Sequence, residues 1–393
     1  MLQKINLHIF KEFLKSGQIG GVLLLVSVVV SLLIANSSLY EGFASLLHYE
    51  IGFNTSAIEL RYSTELWIND GLMAIFFLLV GLEIKREIVE GELSSVKKAA
   101  MPVFAALGGM LFPAFIYFLI NKGTPTAGGW GIPMATDIAF ALAVISMLGK
   151  SVPASLKIFL AALAIVDDLG AIFVIAIFYT GNVHLDQLLY SAGILALLIL
   201  FNRFGVKNLV FYLIPGLFLW YFIHHSGIHA TIAGVLLAFT IPTNNTAECS
   251  PLEKLEHFLS KPVNMIIMPV FALANTLIHF ESGMVEGLGS SLGLGVIMGL
   301  IIGKPLGIFS FSWLSVKLKW SQLPSGARWS HIFGLGMLGG IGFTMSVFIA
   351  LLSFDDTLLQ SEAKFSILVA SFFAGIGGYL VLLSINKRKK IRV

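Results

Sequence analysis

Charge is scarce in this chain. Of its 393 residues only 12% are Asp, Glu, Lys or Arg, against roughly 25% in soluble domains. With 57% of the residues hydrophobic, the shortage excludes an ordinary globule in water, whose surface could not be covered. A net charge of +3 is too small to argue for nucleic acid, and no basic patch interleaved with aromatics is present. Cysteine is nearly absent. Cys249 stands alone in a polar stretch, which excludes an internal disulfide and a thiolate metal cluster. No glycine-rich nucleotide-binding loop is visible, which argues against a pump driven by nucleotide hydrolysis. No resident cofactor is called for.

Long apolar runs are abundant. A spanning helix needs about 20 mostly apolar residues. Twelve segments qualify, with cores near 17–36, 66–84, 99–121, 130–149, 154–179, 187–202, 208–224, 229–242, 263–280, 290–316, 328–352 and 364–386. Lys4, Lys11 and Lys15 ahead of the run 20–35 have the look of a signal peptide, but so many apolar segments follow that a retained first span is the better reading. Cytoplasmic loops of membrane proteins carry an excess of Lys and Arg. With the N-terminus placed inside and the chain alternating, 21 of the 25 basic residues fall on the cytoplasmic side. Arg61, Lys122 and Lys364 fall outside, and Lys304 lies within a span. An error in span number would scramble this asymmetry. The sequence therefore predicts an all-α polytopic membrane protein of twelve transmembrane helices with both termini cytoplasmic. In the long outer connection, residues 49–62 alternate around Asn54, Thr55 and Ser56, which suits either a β-hairpin or an irregular loop. Asp70, just ahead of an apolar run, reads as an N-cap.

Four ionisable residues stand where they are expensive: Asp137, Asp167, Asp168 and Lys304. Each costs about 2.5–3.5 kcal/mol at the bilayer centre. At a helical rise of about 1.5 Å per residue, Asp167 lies roughly 15 Å from Lys157, Asp168 roughly 18 Å from Thr180, and Lys304 roughly 20 Å from Lys317. A structural ion pair accounts for one Asp and one Lys, not for three carboxylates with a single lysine. The surplus suits a hard cation such as sodium, which takes oxygen ligands. Burial disfavours an ionised carboxylate and a nearby ammonium favours it, so the same oxygens can hold either a proton or a metal ion. Asp167 and Asp168 are about 100° apart on a helix, so one can face an ion path and the other a partner such as Lys304.

The fourth and eleventh segments also carry helix breakers. One reads Gly131, Ile132, Pro133, Met134, Ala135, Thr136, Asp137; the other reads Gly339, Gly340, Ile341, Gly342, Phe343, Thr344. Interrupted helices persist at membrane depth only where they are buried in protein or line a cavity. A break in each half predicts inverted repeats, the third to fifth spans matching the tenth to twelfth, and two discontinuous helices crossing at midmembrane. Asp137 would offset the positive helix ends there and Lys304 the negative ends. The alternative is that the glycines only permit close packing.

Six motifs carry a family resemblance: Trp67-Ile68-Asn69-Asp70, Val80-Gly81-Leu82-Glu83, Ala135-Thr136-Asp137-Ile138-Ala139-Phe140, Leu163-Ala164-Ile165-Val166-Asp167-Asp168-Leu169-Gly170, Gly303-Lys304-Pro305-Leu306-Gly307 and Gly340-Ile341-Gly342-Phe343-Thr344-Met345-Ser346. From the first span to the last the chain resembles the NhaA family of sodium/proton antiporters. The resemblance implies an electrogenic, pH-regulated exchanger of the bacterial inner membrane, moving sodium or lithium out and a larger number of protons in by alternating access. It implies a homodimer, with the 49–62 hairpin contributing. A core unit of roughly 99–179 and 290–386 would carry the ion site, and the remaining spans would form the dimerisation unit. By the same resemblance Asp168 is the central sodium ligand, and Asp167 a second ligand or a proton carrier paired with Lys304. Asp137 and Lys304 are the charges at the helix crossing, and Thr136 is a ligand nearby. Glu83, Arg86 and Glu87, with Glu256 and His257, match a pH-sensing cluster, and His229 matches an outer position. Ser260 stands where the family pattern has a histidine. Two rival readings are a passive cation channel and an intramembrane aspartyl protease with two carboxylates sharing a proton.

Overall fold

The computed structural model describes residues 2–55, 58–149, 152–181, 183–243, 250–280 and 283–390, with side chains from residue 19 to residue 385. Cys249, Lys150 and Arg392 lie outside the described residues, as do the side chains of Lys4, Lys11, Lys15 and 387–390.

Most of the long apolar runs become long helices, some of them with proline or glycine inside. The first, α1 (Leu2–Ala35), is followed after a 111° bend by α2 (Tyr40–His48). Strands β1 (Glu50–Ile51) and β2 (Tyr62–Ser63) pair antiparallel, with a further bridge between Asn54 and Glu59. The chain re-enters helix at α3 (Thr64–Leu66), capped by the Ser63 hydroxyl, which accepts from the Leu66 N–H at 3.2 Å. A π-helical turn, Trp67–Leu72, leads into α4 (Met73–Val89). Asp70 lies inside that π turn and caps nothing, because the helical run already begins at Ser63, seven residues earlier.

Next come α5 (Val96–Asn121), a 3-10 stretch (Pro125–Met134), α6 (Ile138–Met147) and α7 (Ala154–Phe178). Helices α8 (Leu185–Arg203), α9 (Val210–His225) and α10 (Ile232–Thr240) follow. Helix α11 (Pro251–Pro262) runs through a π turn, Val263–Ile267, into α12 (Met268–Asn275). This helical run begins well before the expected 263. Ser250 and Glu253 form a capping box, and Leu252, Leu255 and Leu259 turn inward at helical spacing while His257 and Phe258 face out, so the stretch ahead of the expected span is an amphipathic helix. The remaining elements are α13 (Met284–Gly287), α14 (Ser291–Met298), a π turn (Gly299–Gly303), α15 (Lys304–Lys317), α16 (Trp329–Gly339), α17 (Phe343–Ser353) and α18 (Thr357–Lys390).

Six of these helical runs are long and apolar enough to cross a membrane alone, or up to nine if each bent pair is one span. Their outward faces agree. Val22, Leu25, Val26, Val29 and Leu33 of α1 are all exposed, a cost of roughly 25 cal/mol per Å² in water that vanishes in hydrocarbon.

Helices α5 and α15 approach most closely. A Cβ at Gly108 would lie 2.2 Å from the Gly307 oxygen, and one at Gly307 would lie 2.0 Å from the Gly108 oxygen. One turn earlier, a Cβ at Gly303 would meet Pro113 Cα at 2.7 Å, and at Gly299 it would meet Pro133 Cβ at 2.7 Å. Glycines every fourth residue thus make a flat face that lets two backbones touch, as in membrane helix pairs generally.

The candidate ion site at two helix breaks

The 3-10 stretch and α6 are bent by 45° around residues 135–137, and α16 and α17 by 47° around residues 340–342. Helix breaks leave backbone groups without intrahelical partners, and here each break supplies partners for the other. The Asp137 N–H donates to the Ile341 carbonyl at 2.7 Å. The Ser346 hydroxyl donates to the Ile132 carbonyl at 2.7 Å.

Asp137 sits at the start of two helices. Its Oδ1 accepts from the Phe140 N–H at 2.9 Å, in the first turn of α6. Its Oδ2 accepts from the Thr344 hydroxyl at 2.5 Å and the Thr344 N–H at 3.3 Å, in the first turn of α17. A carboxylate is favoured where two helix N-termini converge. Lys304 reaches the opposite ends. Its Nζ donates to Thr136 Oγ1 at 2.8 Å, and that hydroxyl lies 2.9 Å from the Gly339 carbonyl at the end of α16. Lys304 also pairs with Asp167 Oδ2 at 2.6 Å, and Thr136 Oγ1 lies 2.8 Å from the same oxygen. Thr136, Asp137, Asp167, Asp168 and Lys304 are at most 2% exposed.

Bonding among these groups is incomplete. Among the described residues, Asp167 Oδ1 and Asp168 Oδ1 are buried without a hydrogen-bond partner. Buried polar atoms are nearly always paired, and an exception calls for an explanation such as an ion. A cavity of about 30 Å³ beside Asp137 and Thr344 extends to Glu83, between Leu79, Leu142 and Asn264.

Glu83 is itself buried one turn inside the basic end of α4. There Arg86 bridges Glu87 at 3.2 Å and Glu256 of α11 at 3.3 Å, so four of the five residues expected in a pH-sensing cluster gather at the junction of α4 and α11. His257, the fifth, is exposed beside Glu256. His229 stands apart from them, between α9 and α10.

Some partners had no signal in the chain. Asp70 Oδ2 pairs with His224 Nδ1 of α9 at 3.1 Å. Tyr62 of β2 lies 3.1 Å from His225 Nε2 and donates to the Glu59 carbonyl at 2.9 Å. Burial, helped by Glu59, pushes the Tyr62 phenol up to about 12, so it stays a donor. Asn69 and Asn275 exchange amide hydrogen bonds at 3.2 and 2.7 Å.

An all-helical membrane protein whose two interrupted helices meet beside three buried carboxylates and one lysine belongs to the class of membrane transporters built on broken helices. Within that class, the chain belongs to the Na+/H+ antiporter 1 family, which it matches over residues 11–382. It is 62% identical over 391 residues to the Na(+)/H(+) antiporter NhaA 2 of Flavobacterium johnsoniae, covering 99% of this chain and 96% of the relative. It is 50% identical to the Na(+)/H(+) antiporter NhaA of Flavobacterium psychrophilum, covering 96% and 97%, and 46% identical to that of Bordetella parapertussis, covering 95% and 96%. The family is one of antiporters, not of enzymes.

Proposed function

We propose that this protein exports sodium, or lithium, in exchange for protons across the bacterial inner membrane. The observation that carries the reading is the pair of buried, unpartnered oxygens, Asp167 Oδ1 and Asp168 Oδ1, adjacent in chain and next to the helix breaks. Two such oxygens attract a hard cation or a proton, and the two compete for them. Asp168, which has no lysine partner among the described residues, is the central ligand. Asp167 is the second, with Lys304 holding its other oxygen, and Thr136 adds a hydroxyl. A proton on these groups and a sodium ion exclude each other, so the loaded site turns over only by exchange.

The chain makes twelve spans with both termini cytoplasmic. The core unit, roughly 99–179 and 290–386, is an inverted repeat whose discontinuous helices cross at midmembrane, and it moves against the remaining spans to give alternating access. More than one proton enters per sodium, so transport is electrogenic. The Glu83, Arg86, Glu87, Glu256 and His257 group sets the activating pH, with His229 acting from the outer side. The hairpin of β1 and β2 contributes to a homodimer.

The test is sodium-driven collapse of a preformed pH gradient in proteoliposomes, with sodium, lithium and potassium compared and Asp168→Asn as the control. Collapse with sodium and lithium but not potassium, lost in the variant, supports exchange at Asp168. Folded protein that gives no response at any pH from about 6 to 9, a span around physiological pH, sinks the proposal. A passive channel would pass sodium without proton counter-movement. The protease reading finds no support in Asp167 and Asp168, neighbours on one helix that cannot straddle a peptide bond.

A further inference from the structure

A cavity of about 650 Å³ opens at the basic end of the bundle, between α5, α7 and the loop that follows α15. It is separate from the ion site. Lys97, Lys98, Lys319, Ser155, Phe159 and Trp320 line it. Among the described residues Glu92 is its one carboxylate, so the lysines outnumber acids three to one. Among the described residues none of the three lysines has an ion-pair partner.

The lysines hold these positions against local preference. Lys97 and Lys98 stand in the first turn of α5, where no acidic residue is present and where the helix dipole disfavours cations. Lys319 is the one non-glycine residue at positive φ among the described residues, at 61°. It closes α15 in a Schellman turn. Its N–H donates to the Val316 carbonyl at 3.0 Å, and the Trp320 N–H donates to the Ser315 carbonyl at 3.0 Å. That place normally goes to glycine, and strained backbone tends to be retained where a side chain has work to do with a ligand. Two unrelated breaches of local preference deliver lysines to one cavity. An anion between the three ammonium groups would offset their mutual repulsion and the unfavourable helix end.

Exposed tryptophans flank the cavity, as they do at membrane–water interfaces. Trp320 and Trp313 are 52% and 43% exposed, Lys317 Nζ sits 4.5 Å from the Trp313 ring centre, and Trp320 packs on Phe104 of α5 at 5.1 Å. Tryptophans of this kind mark the headgroup region. Exposed Leu314 and Leu318 continue the surface in apolar form, as an acyl chain requires. Basic pockets between membrane helices suit anionic headgroups.

We propose that this cavity binds the phosphate of an anionic phospholipid, with Lys97, Lys98 and Lys319 around the phosphate and Trp320 at the glycerol level. The bound headgroup would bridge α7 to the loop after α15, which already touch through the Ser155 hydroxyl and the Ser325 carbonyl at 2.7 Å. Because α7 carries Asp167 and Asp168, lipid composition then bears on the ion helix.

The experiment is native mass spectrometry of the full-length protein in detergent, titrated with phosphatidylglycerol or phosphatidylcholine. Wild type is compared with Lys97→Gln/Lys98→Gln/Lys319→Gly and with Lys319→Gly alone. Glycine suits a φ of 61°, so the single variant keeps its fold and keeps the test valid. Phosphatidylglycerol binding should weaken roughly fivefold for each lysine removed, while phosphatidylcholine binding stays unchanged. Equal phosphatidylglycerol binding by wild type and both variants overturns the proposal. Displacement of the lipid by millimolar inorganic phosphate overturns the lipid assignment in favour of a soluble phosphate ligand. The readout is lipid retention, so failure of the antiport proposal would leave this result standing.

Discussion

Replacing Lys304 by Met removes the ammonium 2.6 Å from Asp167 and leaves a carboxylate at 0% exposure with only the Thr136 hydroxyl to bond it. Breaking a buried pair from one side costs about 3–5 kcal/mol, because the remaining charge is stranded. Asp167→Asn strands the ammonium instead, with a cost of the same order. The double variant Lys304→Met/Asp167→Asn strands nothing, and removal of a whole buried pair is often close to neutral. A thermodynamic cycle on thermal unfolding in detergent should therefore give a coupling of about 3 kcal/mol or more. Both single variants should melt well below wild type, and the double variant close to it. The reasoning is refuted if the losses of the two single variants simply add in the double, or if Lys304→Met melts with wild type.

Asp168→Asn should behave oppositely, losing sodium-driven proton movement without lowering the melting temperature, since the structure gives Asp168 Oδ1 no partner to lose. Gly307→Ala should cost about 1–3 kcal/mol through overpacking, with loss of transport as α15 and its Lys304 shift. Gly42→Ala, with nothing within 4 Å of the new Cβ, is the control and should melt no lower than wild type. Thr344→Val removes the 2.5 Å donor to Asp137 and should cost about 1.5–3 kcal/mol, as for hydrogen bonds to charged groups. Thr344→Ser should recover most of that loss in the same melting assay.

Much of the site's chemistry was legible because the bilayer makes charge conspicuous. Asp137, Asp167, Asp168 and Lys304 interrupt runs that are otherwise apolar, and a fixed rise per residue sets their depth. Pro133 and the glycines at 339, 340 and 342 likewise mark the breaks by local chemistry alone. What could not be read depends on which distant segments meet. Gly299, Gly303 and Gly307 are visible as a row, but nothing local names Pro133, Pro113 and Gly108 as the surfaces they press on. Asp70 read as a cap because a helix follows it; its partner His224 is 154 residues away. Helix α11 was missed for another reason. Its charged residues keep it out of an apolar run, although the Ser250 and Glu253 spacing holds the signature of a helix start.

The mutual bonding of the two breaks has a mechanical consequence. Asp137 N–H to Ile341 carbonyl, Ser346 to Ile132 and Thr344 to Asp137 are rivets between two bent rods, and each rod fills backbone valences that the other leaves open. Neither can straighten or slide alone without exposing those groups in a medium that offers no replacement. Any stroke that turns the site from one face of the membrane to the other must carry both rods as one part, with the bearing surface placed where they meet their neighbours and not where they meet each other.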